Sequence, residues 1–299
     1  MERNTNNVEF AHVENGGIKF KESRKIDFRL TTDEGESHFI LPAFFHTLDF
    51  LEASGREYVV VFRTFGHDLP LIAAALEAFS EGKHPMYPRT FVQESKDSSD
   101  QATSPFLLKR SQMFRGRYNE DACKKGGVAS NPLDCAVYQL HEWTDDENDQ
   151  FFGKVKARND EEVIGILENS DAKIFGINDD YKYWSSHGCH PECGKPVWVH
   201  ADQDGKLRPH HIFFDDNIKN DPNDSIVAVR QESLHSLIGD KERKFHSLSG
   251  TEIQALHGIH LVRVPTFKPL LEPDWFIRQI EKCEENLAST MQHDSQHLI

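Results

Sequence analysis

The stretch His210-His211-Ile212-Phe213-Phe214-Asp215-Asp216-Asn217 runs apolar residues directly into two carboxylates and an amide. Adjacent oxygen-rich side chains at a strand tip are what a hard cation such as Mg²⁺ takes as ligands. In open parallel sheets, ligand sites lie beyond the carboxyl ends of the strands. The same pair also serves as a turn with a helix cap. A second apolar run, Tyr58-Val59-Val60-Val61-Phe62, leads into Arg63-Thr64-Phe65-Gly66. A hydroxyl beside a glycine turn can hold a phosphate oxygen, helped by the next helix N-terminus; alternatively, Thr64 simply begins the turn. Gly194-Lys195-Pro196 precedes a third apolar run at 197–199. A lysine there would offset charge on a transferring phosphoryl group, although most lysines sit in water. His187, Cys189, His190 and Cys193 form a His-x-Cys-His-x-x-Cys cluster able to hold Zn²⁺. No second ligand pair has the usual zinc spacing, so the alternative is a loop leading to Lys195. His210 and His211 either position a ligand or begin their strand.

A helix–strand rhythm must position these groups. Leu41, Phe44, Phe45, Leu48 and Leu51 share one helical face. Gly55 suits the left-handed position that ends such a helix. The run at 58–62 is apolar on both faces and reads as a buried parallel strand. Asp68 can cap a following helix with Pro70 in its first turn, burying Ile72, Ala75, Leu76 and Phe79. Later, Asn159 or Asp160 opens a helix presenting Val163, Ile164 and Leu167. Short apolar runs follow at 173–177, 197–199, 212–214, 226–229 and 259–264, and Asp274 caps a final helix. Alternation of this kind predicts an α/β fold with a mostly parallel sheet flanked by helices. Residues 83–158 break the rhythm and read as a cap or insertion with polar loops at 93–105 and 119–134. Residues 1–38 form an irregular N-terminal segment, 39–82 and 159–288 the core, and 289–299 a tail. Trp143, Trp184, Trp198 and Trp275 lie among apolar neighbours and read as core.

Composition narrows the function. In 299 residues, 49 acidic against 34 basic side chains give a formal net charge of −15. Such a chain repels phosphate surfaces, which argues against nucleic-acid and anionic-membrane partners. No apolar stretch approaches the ~18 residues of a membrane helix, and the polar start lacks a signal-peptide core. Five cysteines in irregular spacing argue for free thiols and a reducing compartment, hence a cytoplasmic protein. Serine-hydrolase, P-loop and dinucleotide signatures do not occur.

Together, Thr64, Lys195, Asp215 and Asp216 resemble the haloacid dehalogenase-like (HAD-like) superfamily, mostly Mg²⁺-dependent phosphatases on a Rossmannoid sheet. The phrases FRTFGHDLP and HHIFFDDN are similar to a eukaryotic branch of it. The resemblance covers residues 38–288. It implies that Thr64 is the phosphate-holding second motif. Lys195 is the charge-neutralising third motif, with Arg208 and Lys182 as weaker matches. Asp215 and Asp216 are the Mg²⁺-holding fourth motif. A complete form would hydrolyse a small phosphorylated molecule.

The family's first motif, a strand ending in Asp-x-Asp, supplies the nucleophile and the general acid/base. Before Thr64 the nearest string is Asp27-Phe28-Arg29-Leu30-Thr31, where Arg29 replaces the second Asp and no buried strand leads in. No nucleophile is found, so the chain as given is expected to be inactive. Either it lacks an N-terminal strand, or residues 8–30 supply a substitute in a non-catalytic binding or scaffold protein. That nothing before residue 39 looks buried on both faces favours the first.

Overall fold

A computed structural model of the chain describes residues 12–14, 17–19, 40–83, 104–120, 136–145, 153–200, 208–219, 225–233 and 243–296. A short antiparallel hairpin comes first, β1 (His12–Glu14) and β2 (Gly17–Lys19), whose strands pair with each other and not with the larger sheets. These two strands therefore do not furnish the substitute strand expected from 8–30; the rest of that segment lies outside the described residues.

The helical spacing after Leu41 becomes α1 (Pro42–Ala53), with proline in its first turn and Gly55 just beyond its end at φ +66°. It leads to β3 (Val60–Thr64) and then α2 (Leu69–Ser80). Further on come β4 (Met113–Asn119), β5 (Val137–Glu142), β6 (Val155–Ala157) and α3 (Asp160–Glu168). Asn159 caps α3 as expected, accepting a hydrogen bond from the Glu162 amide at 2.9 Å. Next are β7 (Ile174–Asn178), α4 (Tyr181–Ser186), β8 (Lys195–Val199) and β9 (Phe213–Asp215). The chain continues through β10 (Val227–Glu232), β11 (Phe245–Ser247), α5 (Gly250–Ala255) and β12 (Leu261–Arg263). It ends with α6 (Lys268–Leu271) and α7 (Trp275–Gln296).

The main sheet has the order β3-β7-β4-β5-β6, parallel across β3, β7 and β4 and antiparallel beyond. A second sheet, β11-β10-β8, and a parallel pair, β12-β9, complete a mixed α/β architecture. Three differences from expectation have physical reasons. Residues 113–157, expected within a cap or insertion, instead supply three strands that hydrogen-bond onward from β7, because period-2 alternation in β5 matches a sheet face. The 58–62 run enters the strand only at Val60, and β3 is an edge strand of intermediate burial throughout, since β7 covers one side of its ladder. The expected tail from residue 289 continues α7 as far as Gln296. The polar loops expected at 93–105 and 119–134 lie mostly outside the described residues.

Strand alternation in β7 divides the core. Ile174 faces α1 and α2, packing with Phe45, Leu69, Leu76 and Phe79. Phe175 and Ile177 face the other way, toward α3 and Trp198 of β8. On β8, Val197 and Val199 turn toward Leu261 and Phe213, so this strand is sandwiched between two apolar layers. Helix α7 closes the far side through Trp275, Phe276 and Cys283 against Phe214 and Ala43. Trp198 and Trp275 are core residues as expected, at 3% and 4% exposure. Each such side chain contributes about 1.5–3 kcal/mol on burial.

The β4–β5 seam requires a glycine. A Cβ built on Gly116 would lie 1.7 Å from the Tyr138 hydroxyl oxygen, so this residue's lack of a side chain admits the tyrosine. Gly116→Ala is expected to destabilise the protein by at least about 1–3 kcal/mol through overpacking. Urea unfolding measures this directly, and a loss below about 0.5 kcal/mol, the range of neutral surface changes, would contradict the packing described.

Candidate functional site

The carboxyl ends of β3, β7 and β9 converge with the start of β8, and the residues they carry decide what the site can do. Arg63 leaves the tip of β3 and is buried. Its Nε and Nη2 donate to the two carboxylate oxygens of Asp179, at 2.8 and 2.5 Å, and its Nη1 donates to the Pro196 carbonyl at 2.8 Å. The guanidinium also lies over the Trp198 ring at 5.6 Å. Asp179 follows β7 directly, and its amide donates to the Thr64 carbonyl at 2.7 Å, continuing the β3–β7 ladder past its last pair. Tyr138 donates to Asp179 Oδ1 at 2.5 Å through the gap left by Gly116. Burial works against the Arg63 charge, but the Asp179 carboxylate outweighs it and holds the guanidinium firmly protonated. Burial, followed by the Asp179 charge, pushes the Tyr138 phenol well above its usual range.

The predicted residues Lys195 and Asp215 meet beside this pair. Lys195 is buried at the start of β8, and its Nζ donates to Asp215 Oδ2 at 2.8 Å and lies 3.5 Å from the Arg63 carbonyl oxygen. The ammonium also sits over the Phe65 ring at 5.1 Å. Phe65 in turn stacks on Trp184 at 5.1 Å and meets Tyr181 edge-on at 5.6 Å. Asp215 Oδ1 accepts from the Asn217 amide at 2.9 Å, while exposed Asp216 accepts from the Asn217 side chain. A turn of this kind is the alternative that the sequence left open for the acidic pair.

Thr64 also follows its simpler alternative. Its hydroxyl donates to Asp68 Oδ2 at 2.7 Å and accepts from the Gly66 amide at 2.9 Å, closing the β3–α2 turn. Asp68 precedes α2 as expected but makes no side-chain cap, because its carboxylate serves Thr64 instead.

Mg²⁺ takes several oxygen ligands that close around it. Here both Asp215 oxygens are engaged, one of them by an ammonium, and Asp216 turns to solvent. This donor set does not fit the ion. Arg208, a weaker match for the third motif, donates to Glu232 at 2.6 Å. Lys182 is exposed on α4.

The His-x-Cys-His-x-x-Cys cluster is spread out. His187 Nδ1 lies 2.8 Å from the Tyr183 carbonyl oxygen, and His190 caps a 3₁₀ turn at Pro191–Cys193. Cys189 is exposed and Cys193 buried. Among the described residues, one group of His, Cys, Asp and Glu brings its donor atoms within metal-ligand reach, and it is elsewhere: Glu168, His200 and His211. Burial opposes the Glu168 charge, yet His200, His211 and Arg243 hold its carboxyl well below the usual range.

Sequence reading missed Arg63, Asp179, Glu168 and His200. Asn178-Asp179-Asp180 at the end of an apolar run carries the same signal as Asp215-Asp216 and could have been found. Glu168 carries no local signal, since it meets its partners only through the tertiary fold. Among the described residues, no helix is long and apolar enough to cross a membrane. Compared with known proteins, the chain matches no family model, no curated protein and no solved structure.

Burial pushes the thiols of Cys193 and Cys283 up to about 11. At pH 8 their thiolate fraction is then about one part in a thousand. Iodoacetamide at pH 8 is expected to alkylate Cys189 first among these three. Mass spectrometry showing Cys193 or Cys283 modified as fast as Cys189 would contradict the burial described.

Proposed function

We propose that the chain is a non-catalytic binding protein on a HAD-like α/β core, with its strand-tip centre given over to structure. The observation that carries this reading is Lys195, which touches Asp215, the Arg63 carbonyl and the Phe65 ring together. Third- and fourth-motif candidates thus meet at the tip of β3. On this reading Phe62-Arg63-Thr64-Phe65-Gly66 stands in the place of the first motif, not the second. Arg63 then replaces the nucleophilic carboxylate and Phe65 the acid/base. Neither side chain can attack phosphorus or relay a proton at neutral pH, because a guanidinium stays charged and a phenyl ring has no exchangeable proton.

Charge supports the same view. A phosphoryl site needs uncommitted cationic groups around the incoming anion. Arg63 is spent on Asp179 and Lys195 on Asp215, so the tip is electrically closed. The formal charge of −15 favours partners that present basic surface and disfavours phosphate-rich ones. Cytoplasmic residence is part of the proposal, supported by free thiols at Cys189, Cys193 and Cys283.

Incubation of the purified full chain with Mg²⁺ and a panel of small phosphoesters, p-nitrophenyl phosphate included, tests the reading. The expected rate equals that of buffer with Mg²⁺ and is unchanged by Asp215→Asn. Mg²⁺-dependent turnover that Asp215→Asn abolishes would overturn it.

A further inference from the structure

We propose that Glu168, His200 and His211 form a site for a divalent transition-metal ion, for which Zn²⁺ has the best-matched donors. The site stands apart from the Lys195–Asp215 pair and does not depend on the HAD-like reading.

The three residues come from separate parts of the fold. Glu168 ends α3, His200 follows β8, and His211 precedes β9. Their donor atoms all lie within 4.8 Å of one another. Glu168 Oε1 is 2.9 Å from His200 Nε2 and 3.6 Å from His211 Nε2. Ligand bonds of ~2.0–2.1 Å in a tetrahedral zinc site put neighbouring donors about 3.3 Å apart, between those two distances. Two imidazoles and one carboxylate are a donor set that zinc accepts, with a remaining position for water.

A second observation points to a ligand. His200 is 7% exposed, and its Nε2 lies 2.9 Å from Glu168 Oε1 in an ion-pair contact whose angles fall outside hydrogen-bond geometry. Two buried polar atoms at close range without a hydrogen bond are costly. A cation between them and His211 would satisfy both lone pairs.

The surroundings supply orientation and charge. His200 Nδ1 lies 3.1 Å from Glu232 Oε2, which lets the ring give its proton to a carboxylate and turn the other nitrogen toward metal. Arg243 Nη2 also lies 2.9 Å from that Nδ1 and must release it in the loaded form. Its Nη1 and Nε remain on Glu168 Oε2 and Glu232 Oε1, leaving Glu168 Oε1 clear. Behind His211, the His260 Nδ1 lies 2.8 Å from the His211 carbonyl oxygen and fixes the backbone there. An ion at this point would tie α3, packed on the main sheet, to the segments around β8 and β9.

The test uses the full chain, stripped with chelator, reloaded with Zn²⁺ and desalted, with metal measured by mass spectrometry. The expected result is about one zinc per chain, one ion for the three ligands and their water position. That content should fall at least tenfold in His211→Ala and in Glu168→Gln and stay unchanged in Cys189→Ser. Loading should raise the melting temperature of the wild type and not of His211→Ala. Cobalt substitution should give visible bands without a thiolate charge-transfer band, which decides the matter in the wild type even if a variant fails to fold. Substoichiometric zinc in the reloaded wild type would overturn the proposal. So would full zinc in folded His211→Ala, loss in Cys189→Ser, or a thiolate band with cobalt.

Discussion

A guanidinium buried at the end of an edge strand constrains everything around it. Removing Arg63 from water costs several kcal/mol unless its donors and its charge are matched. Asp179 supplies the charge and two acceptors, the Pro196 carbonyl a third, and Trp198 the face on which the group lies. Each partner brings its own requirement. Asp179 must sit one residue past β7, so β3 and β7 must run parallel and in their observed register. Tyr138 must reach Asp179 across β4, so residue 116 must be glycine. Pro196 and Trp198 must lie over the sheet, so β8 is fixed against it.

A second buried arginine repeats the arrangement nearby. Arg230 of β10 pairs with Asp160 at 2.6 Å, and Asp160 also accepts from Trp198 Nε1 at 2.8 Å. Trp198 thus stands between two ion pairs, one from each sheet, with Tyr118 under Arg230 at 5.6 Å. Charged groups used in this way register the two sheets against each other more sharply than apolar packing alone, whose attractions have no direction. They also consume the cationic and acidic side chains that a phosphoryl-transfer centre would need. The same residues therefore account for the interlocked contacts at the strand tips and for the proposed lack of chemistry there.

The helices and most strands were legible because they follow local periodicity: α1, α3 and β8 fall where apolar spacing puts them. Lys195 and Asp215 were each legible as site candidates because each stands at a strand end, but their pairing with each other was not. The rest depends on contacts that spacing cannot encode. Thr64 presents the same sequence signal whether its hydroxyl faces a phosphate or Asp68, and only the turn geometry decides. The strands β4, β5 and β6 were obscured by polar segments between them, so their membership in the main sheet emerges from pairing with β7. Arg63 in an apolar lead reads as an interruption until its partner, 116 residues away, is brought beside it.

A double-mutant cycle on Arg63→Met and Asp179→Leu addresses the central claim most directly. If the pair is the structural keystone, each single variant leaves an unmatched buried charge and loses about 3–5 kcal/mol, while the double variant recovers most of that loss. Residues kept for ligand binding or catalysis commonly cost stability, so replacing them is neutral or stabilising. Single variants within about 0.5 kcal/mol of the wild type, with no coupling between them, would contradict the account.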